Sequence, residues 1–246
     1  MPAVPKWAAL AMEDDGVRRG DVGSDLNLSG VERRDEAEGL ERLRLLTDAG
    51  AVECRWHPAP AGDAAVLWVF GAGGGLGGPA GGLYTRLGQQ LRPRGTASLE
   101  LAYRHPGRLR DCVQDVLTGL AWLADEGRRR VVLVGHSFGG GVVVTAGAAA
   151  GEAVIAVAAL SSQTGGTEAA VSLSPRPLLV MHGTADEVLP DACSRDIHAR
   201  AREPKELILY PGCRHGLDEC REKLDRDLMG WLERVVAGGP GRNPRG

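Results

Sequence analysis

The sequence predicts an α/β domain, doubly wound around a mainly parallel sheet, with an antiparallel hairpin at its N-terminal edge. Three observations predict it. Short, continuous apolar runs alternate with segments of helical periodicity from about residue 64 onward, as happens when strands are covered by helices on both faces. One of these runs, Val131-Val132-Leu133-Val134, passes directly into Gly135-His136-Ser137-Phe138-Gly139 and then into a small-residue helical stretch, Gly140 to Ala150. A strand, a Gly-x-Ser-x-Gly turn and a helix form a nucleophile elbow, in which a serine is carried on a turn so sharp that only small residues fit on either side of it. Finally, 246 residues with 43% hydrophobic and 25% charged side chains suit one large globular domain.

The elements follow in order. Residues 1–38 are polar, Gly-rich and charged, without a sustained period, and read as a flexible arm carrying at most one short charged helix over Val31 to Glu41. The folded domain is expected over residues 39–238. Leu43, Leu45, Val52, Cys54 and Trp56 alternate on either side of Asp48-Ala49-Gly50, the pattern of a hairpin. Ala64 to Phe70 is a strand buried on both faces, and Ala97, Leu99, Leu101 and Tyr103 mark another. Leu109, Cys112, Val113, Val116, Leu117, Leu120 and Leu123 recur at helical spacing. Strand 131–135, helix 138–150, strands 153–160 and 177–182, a helix from about 191, strand 206–210 and a helix over 218–236 complete the series. Asp218 is placed to cap the last helix, which aligns Leu224, Leu228, Leu232 and Val235. Residues 239–246 read as a disordered tail.

Charge and composition exclude several classes. A net charge of −3 and a pI near 6.1 give no electrostatic footprint for nucleic acid or an acidic membrane. No stretch approaches the ~18 apolar residues that span a bilayer. Trp7 to Met12 is too short for a secretory core and is followed at once by Glu13-Asp14-Asp15. The five cysteines, Cys54, Cys112, Cys193, Cys213 and Cys220, form neither a CxxC pair nor a zinc-ligand spacing. They read as reduced thiols, and the expected location is cytoplasmic.

A serine nucleophile needs a base, and the base needs a carboxylate to orient it. The loop after strand 177–182 carries Asp186, 49 positions beyond Ser137, and the loop after strand 206–210 carries His215, 29 further on. The order Ser, Asp, His is that of this elbow type, and in a parallel sheet all three loops emerge at one edge. Glu187 is the alternative carboxylate, with Asp218 another near His215. The remaining histidines His105, His136, His182 and His198 read as structural.

The run Phe70-Gly71-Ala72-Gly73-Gly74-Gly75-Leu76-Gly77-Gly78 follows a buried strand and has two chemical readings. Glycines let backbone amides approach a tetrahedral oxyanion. Alternatively, Gly73, Gly75 and Gly78 fit a dinucleotide fingerprint, with Glu100 as the acidic ribose ligand. Pro79 and Gly81-Gly82 interrupt the helix that the second reading requires, and only the first also accounts for Ser137, Asp186 and His215. A plain flexible glycine loop is the reading without chemistry.

Together, Gly-His-Ser-Phe-Gly-Gly at 135–140, His-Gly-Thr-Ala-Asp-Glu-Val-Leu-Pro at 182–190 and Pro-Gly-Cys-Arg-His-Gly at 211–216 resemble the α/β-hydrolase superfamily, closest to its small dienelactone-hydrolase-like and lidless esterase-like members. The resemblance covers about residues 41–236. It implies Ser137, Asp186 and His215 as a catalytic triad, and Phe138 and Ala72 as donors of the two oxyanion-hole amides. Many members have His-Gly-x-Gly where this chain has Phe70-Gly71-Ala72-Gly73. Dienelactone hydrolases proper use a cysteine nucleophile, so serine here argues against inheriting their substrate. The segment Ser161 to Arg176, where larger esterases insert a cap, is 16 residues long and mostly small and polar, so no sizeable cap domain is expected. The resulting expectation is a serine hydrolase, carboxylesterase-like, acting on a small-molecule ester or acyl substrate. No cofactor, metal, nucleic acid or membrane partner is called for. Thioesterase or peptidase chemistry, or a catalytically silent binding scaffold, are the alternatives.

Overall fold

A computed structural model describes residues 26–238. Nine strands form one sheet: β1 (Leu28–Glu36), β2 (Leu40–Thr47), β3 (Gly50–His57), β4 (Ala64–Val69), β5 (Ala97–Ala102), β6 (Arg130–His136), β7 (Val154–Leu160), β8 (Leu178–Gly183) and β9 (Lys205–Tyr210). Their order is β1-β2-β3-β5-β4-β6-β7-β8-β9. The first three strands and the β3–β5 pair are antiparallel; from β5 to β9 every pair is parallel. Five helices connect them: α1 (Pro79–Leu91), α2 (Leu109–Asp125), α3 (Phe138–Ala149), α4 (Ala192–Arg200) and α5 (Arg221–Val236).

The strand alternation divides the core in two. On β4, Ala65, Leu67 and Val69 face one layer with Val113, Val116 and Leu120 of α2, Val142 and Val143 of α3 and Ile197 of α4. Val66 and Trp68 face the other, with Leu83, Leu87 and Leu91 of α1 and Leu224, Leu228 and Leu232 of α5. β4 therefore has no polar face, and all six of its residues are buried, as a central parallel strand requires. This is the α/β-hydrolase arrangement expected from the sequence. Between β7 and β8 the chain forms only a short 3-10 helix, Glu168–Ser172. That segment packs down on α3, where Thr145 Oγ1 donates to the Gly166 carbonyl, and no cap domain is inserted there.

Four expectations need correction. Residues 28–36, read as part of a flexible arm with a possible helix over 31–41, are strand β1. Its charges match oppositely charged partners across the sheet: Arg44 of β2 reaches Glu32 of β1 and Glu53 of β3, while Arg33 reaches Glu41. Residues 1–25 of the arm and the tail 239–246 lie outside the described residues. Helix α1 was not anticipated, because its first turn holds Ala80, Gly81 and Gly82 at positive φ. Asp218 does not cap the last helix; it starts a 3-10 turn over Asp218–Cys220, and Cys220 occupies the N-cap. Last, Cys213 and Cys220 form a disulfide, while Cys54, Cys112 and Cys193 are free and buried. Cysteine usage thus no longer supports a cytoplasmic location. No helix among the described residues is long and apolar enough to cross a membrane.

Candidate active site

The elbow is built by exclusion of volume. A Cβ on Gly135 would stand 2.1 Å from the carbonyl oxygen of Gly139, and one on Gly139 would stand 2.3 Å from that of Phe70. Neither separation is possible, so the turn tolerates glycine alone at both positions. Between them Ser137 takes φ 58°, ψ −121°, a conformation that a non-glycine residue holds only when its surroundings impose it. The imposing contacts are the Ser137 amide donating to Leu160 of β7 (2.8 Å) and the Gly140 amide donating to the Ser137 carbonyl (3.0 Å). Ser137 thereby precedes the first turn of α3, whose free amides and positive dipole end lie beside the hydroxyl.

His215 reaches the serine from the loop after β9. Its Nε2 lies 3.1 Å from Ser137 Oγ and its Nδ1 lies 2.7 Å from Asp186 Oδ2. Asp186 comes from the loop after β8, and its carboxylate is enclosed. Oδ1 accepts the amides of Val188 and Leu189, both at 2.8 Å, and Oδ2 also lies 3.0 Å from His182 Nε2. Burial works against the charge. The hydrogen bonds from His182, His215 and the Leu189 amide outweigh it and hold the carboxyl well below the usual carboxylate range. Asp186 is therefore ionised at neutral pH, and a proton on His215 Nδ1 is fixed by it. In the neutral ring, Nε2 then presents its lone pair to Ser137.

The two loops are held against one another. The Ala185 amide donates to Cys213 and the Thr184 amide to Tyr210, and Gly183 packs so closely on Cys213 that a Cβ would fall 2.1 Å from its carbonyl oxygen. The Cys213–Cys220 disulfide closes the His215 loop on itself. From below, His136 Nε2 donates to the His215 carbonyl at 2.9 Å, and its ring lies 4.8 Å from the His215 ring. Burial lowers the His136 pKa to about 4, so this histidine is a neutral support for the loop.

The structure thus brings Ser137, Asp186 and His215 into one hydrogen-bonded chain. Glu187 and Asp218, the alternative carboxylates, are solvent-exposed, and Asp186 holds the imidazole. Phe138 opens α3 immediately after the serine. Ala72 sits in an exposed turn closed by the Gly74 amide on the Gly71 carbonyl (2.9 Å). The neighbouring Gly71 backs onto Ser137, since a Cβ there would lie 3.4 Å from Ser137 Cβ. The glycine-rich loop is therefore beside the serine. The dinucleotide reading of it fails on geometry: Ala80, Gly81 and Gly82 are left-handed where a phosphate-binding helix would begin. Glu100, its ribose ligand, is buried with its oxygens bonded to His57, Thr85 and the Gly77 amide. His182, read as merely structural, is the residue that sequence reasoning undervalued. Its signal was the spacing: His182 and Asp186 are four positions apart, across the turn that ends β8.

Comparison with known proteins agrees with this fold. Residues 80–227 match the model of the dienelactone hydrolase family. Among curated proteins, the uncharacterized protein YfhR of Escherichia coli O157:H7 is 31% identical over 129 residues, 44% of this chain and 45% of that protein. The YfhR of Salmonella typhi is 50% identical over 44 residues, 18% of this chain and 15% of that protein. The chain thus spans less than half the length of these curated relatives. Among solved structures, a putative α/β hydrolase from Agrobacterium tumefaciens superposes with a TM-score of 0.69 at 19% identity, over 82% of this chain and 100% of that one. A dienelactone hydrolase from Anabaena variabilis gives 0.67 at 17%, over 83% and 98%. Est1E from Butyrivibrio proteoclasticus gives 0.64 at 16%, over 85% and 100%. With the family match covering more than half of its length, the chain is an α/β hydrolase and belongs to the dienelactone hydrolase family.

Proposed function

We propose that this chain is a serine hydrolase that cleaves carboxylic ester-type bonds through an acyl-enzyme intermediate. The observation that carries the reading is the position of His215, 3.1 Å from Ser137 Oγ on one side and 2.7 Å from Asp186 on the other. His215 Nε2 takes the hydroxyl proton as Ser137 Oγ attacks the acyl carbon, and Asp186 stabilises the imidazolium that forms. The negative charge that develops on the acyl oxygen is met by the amides of Phe138 and Ala72, one at the helix N-terminus and one on the glycine-rich loop. The imidazolium then protonates the departing alcohol. Water, deprotonated in turn by His215, releases the acid and regenerates the serine.

A small acyl substrate suits the open edge of the sheet. The β7–β8 segment packs on α3 rather than over the serine, and both Ser137 and His215 retain partial exposure. Substrate therefore needs no gating motion of that segment to enter. Serine in place of cysteine at the elbow separates the preferred substrate from the dienelactones. The test is hydrolysis of a chain-length series of chromogenic esters, with thioesters alongside, by the parent chain and by Ser137→Ala. The parent is expected to favour short, soluble esters with simple saturation kinetics, and Ser137→Ala to lose on the order of 10⁶ in turnover. Activity of the variant within about tenfold of the parent would remove Ser137 from the mechanism.

A further inference from the structure

Glu100 is a buried carboxylate, 1% exposed, to which the chemistry proposed above assigns no task. It lies in the middle of β5, on the face covered by α1. It is in register with Trp68 of β4 and through it with Val134 of β6, three residues before Ser137. A carboxylate buried there costs several kcal/mol unless its lone pairs are met, and they are. Oε1 accepts from His57 Nε2 and Thr85 Oγ1, both at 2.8 Å. Oε2 accepts the Gly77 amide at 2.6 Å and lies 3.4 Å from an Arg55 guanidinium nitrogen. Burial opposes the charge, and the hydrogen bonds from His57, Thr85 and Gly77 overcome it, so the carboxyl sits below its ordinary range. His57 is itself fully buried, and its other ring nitrogen has no partner. It therefore serves Glu100 alone.

Of these contacts, the one to Gly77 leaves the sheet. Gly77 is the penultimate residue of the run from Phe70 to Gly78, six of whose nine residues are glycine. Such a loop has little conformational preference of its own, and Phe70 offers no polar side chain to tether it. Its first end is held by Tyr103 and Tyr84, whose hydroxyls donate to the Phe70 and Val69 carbonyls. Its second end is held where the Gly77 amide meets Glu100 and the Gly77 carbonyl accepts the Tyr84 amide at 2.9 Å. Between these ties lie Gly71, against Ser137, and Ala72.

We propose that Glu100 is a positioning residue for the oxyanion hole: by gripping the Gly77 amide it sets the glycine-rich loop at the distance from Ser137 at which the Ala72 amide meets the developing oxyanion. The proposal rests on the hydrolase reading above. It is a role for a charge inside the sheet, acting through the loop and touching no substrate.

The test is Glu100→Gln, which keeps the shape but removes the charge and leaves a single acceptor oxygen for the Gly77, His57 and Thr85 donors. Misplacement of an oxyanion donor is felt mainly in the transition state. The kcat on a chromogenic ester should fall on the order of ten- to a hundredfold, with KM within about twofold and the number of serines titrated by a fluorophosphonate unchanged. Hydrogen exchange should rise in the peptide over residues 70–79 and stay constant over 131–145. A fall in rate matched by a fall in titratable serines would make Glu100 a folding residue only and overturn the proposal. A kcat within about twofold of the parent, or unchanged exchange over 70–79, would overturn it as well. Should Glu100→Gln not fold, Thr85→Val removes a single donor without altering the charge. The same measurements then apply, with an expected loss in kcat of a few-fold. A parent chain without esterase activity refutes the hydrolase reading itself; an active parent whose Glu100 variants are equally active refutes only the role of Glu100.

Discussion

Acidification should weaken the fold through one buried histidine. His136 is 4% exposed and lies under the loop that carries His215. Its Nε2–H is committed to the His215 carbonyl, while Nδ1 is buried without a partner. A second proton would thus create a buried, unsatisfied cation beside the His215 ring, with only Asp186 nearby to offset it. Burial accordingly lowers the pKa from 6.5 to about 4. In this case the unfolded chain binds the extra proton more readily than the folded one, so stability rises with pH across the window between the two values. The contribution is complete above about pH 6.5 and is progressively lost as pH falls toward 4. Between pH 7 and pH 4.5 the shift corresponds to roughly 2 kcal/mol, a large part of the ~5–15 kcal/mol that stabilises a typical domain. The assay is urea unfolding of the parent and of His136→Gln at pH 7, 6, 5 and 4.5. The amide of Gln can still donate to a carbonyl but does not titrate. The variant should be the less stable protein at pH 7 and should close the gap by about 2 kcal/mol at pH 4.5. A difference between the two that stays constant within about 0.5 kcal/mol over this range would refute the reasoning, because His136 would then not carry the linkage.

Two further predictions follow from the loops. Asp186→Asn should leave the fold in place but lower turnover on the order of 10⁴, because the amide cannot accept the Nδ1 proton and favours the wrong imidazole tautomer; steady-state kinetics beside circular dichroism checks both halves. Reduction of Cys213–Cys220, which are separated by seven positions, should cost about 2.5 kcal/mol of stability by loop entropy alone, read as a lower melting temperature in a dithiol reductant and as two newly alkylated cysteines by mass spectrometry.

Much of the central sheet was readable because several of its strands are nearly uninterrupted apolar runs. β4, β6, β7 and β8 announce themselves in this way, and the hairpin of β2 and β3 shows the alternation of a sheet with one wet face. The elbow was readable for a steric reason: the glycines at 135 and 139 are demanded by backbone contacts that no other residue survives. Strand β1 was not. It is an edge strand whose residues are exposed or half-buried, so its pairing rests on cross-strand Arg–Glu matches that one strand's sequence does not display. Helix α1 was concealed by the left-handed Ala80-Gly81-Gly82, although Leu83, Leu87 and Leu91 do form an apolar stripe. The grouping of Ser137, Asp186 and His215 was legible from strand ends alone. The partners that hold it, His182 on Asp186 and His136 on the His215 carbonyl, depend on side chains meeting across loops. The disulfide was invisible for a similar cause: two cysteines seven apart have no signature until the intervening loop folds back.

That Ser137 is an activated nucleophile is tested most directly by covalent labelling. Incubation with a fluorophosphonate, followed by peptide mapping, should place a single adduct on Ser137. Labelling should be absent in Ser137→Ala and slowed at least about a hundredfold in His215→Ala, since the unassisted hydroxyl is a weak nucleophile. An unmodified Ser137 in the folded parent, or equal labelling of parent and His215→Ala, would contradict it.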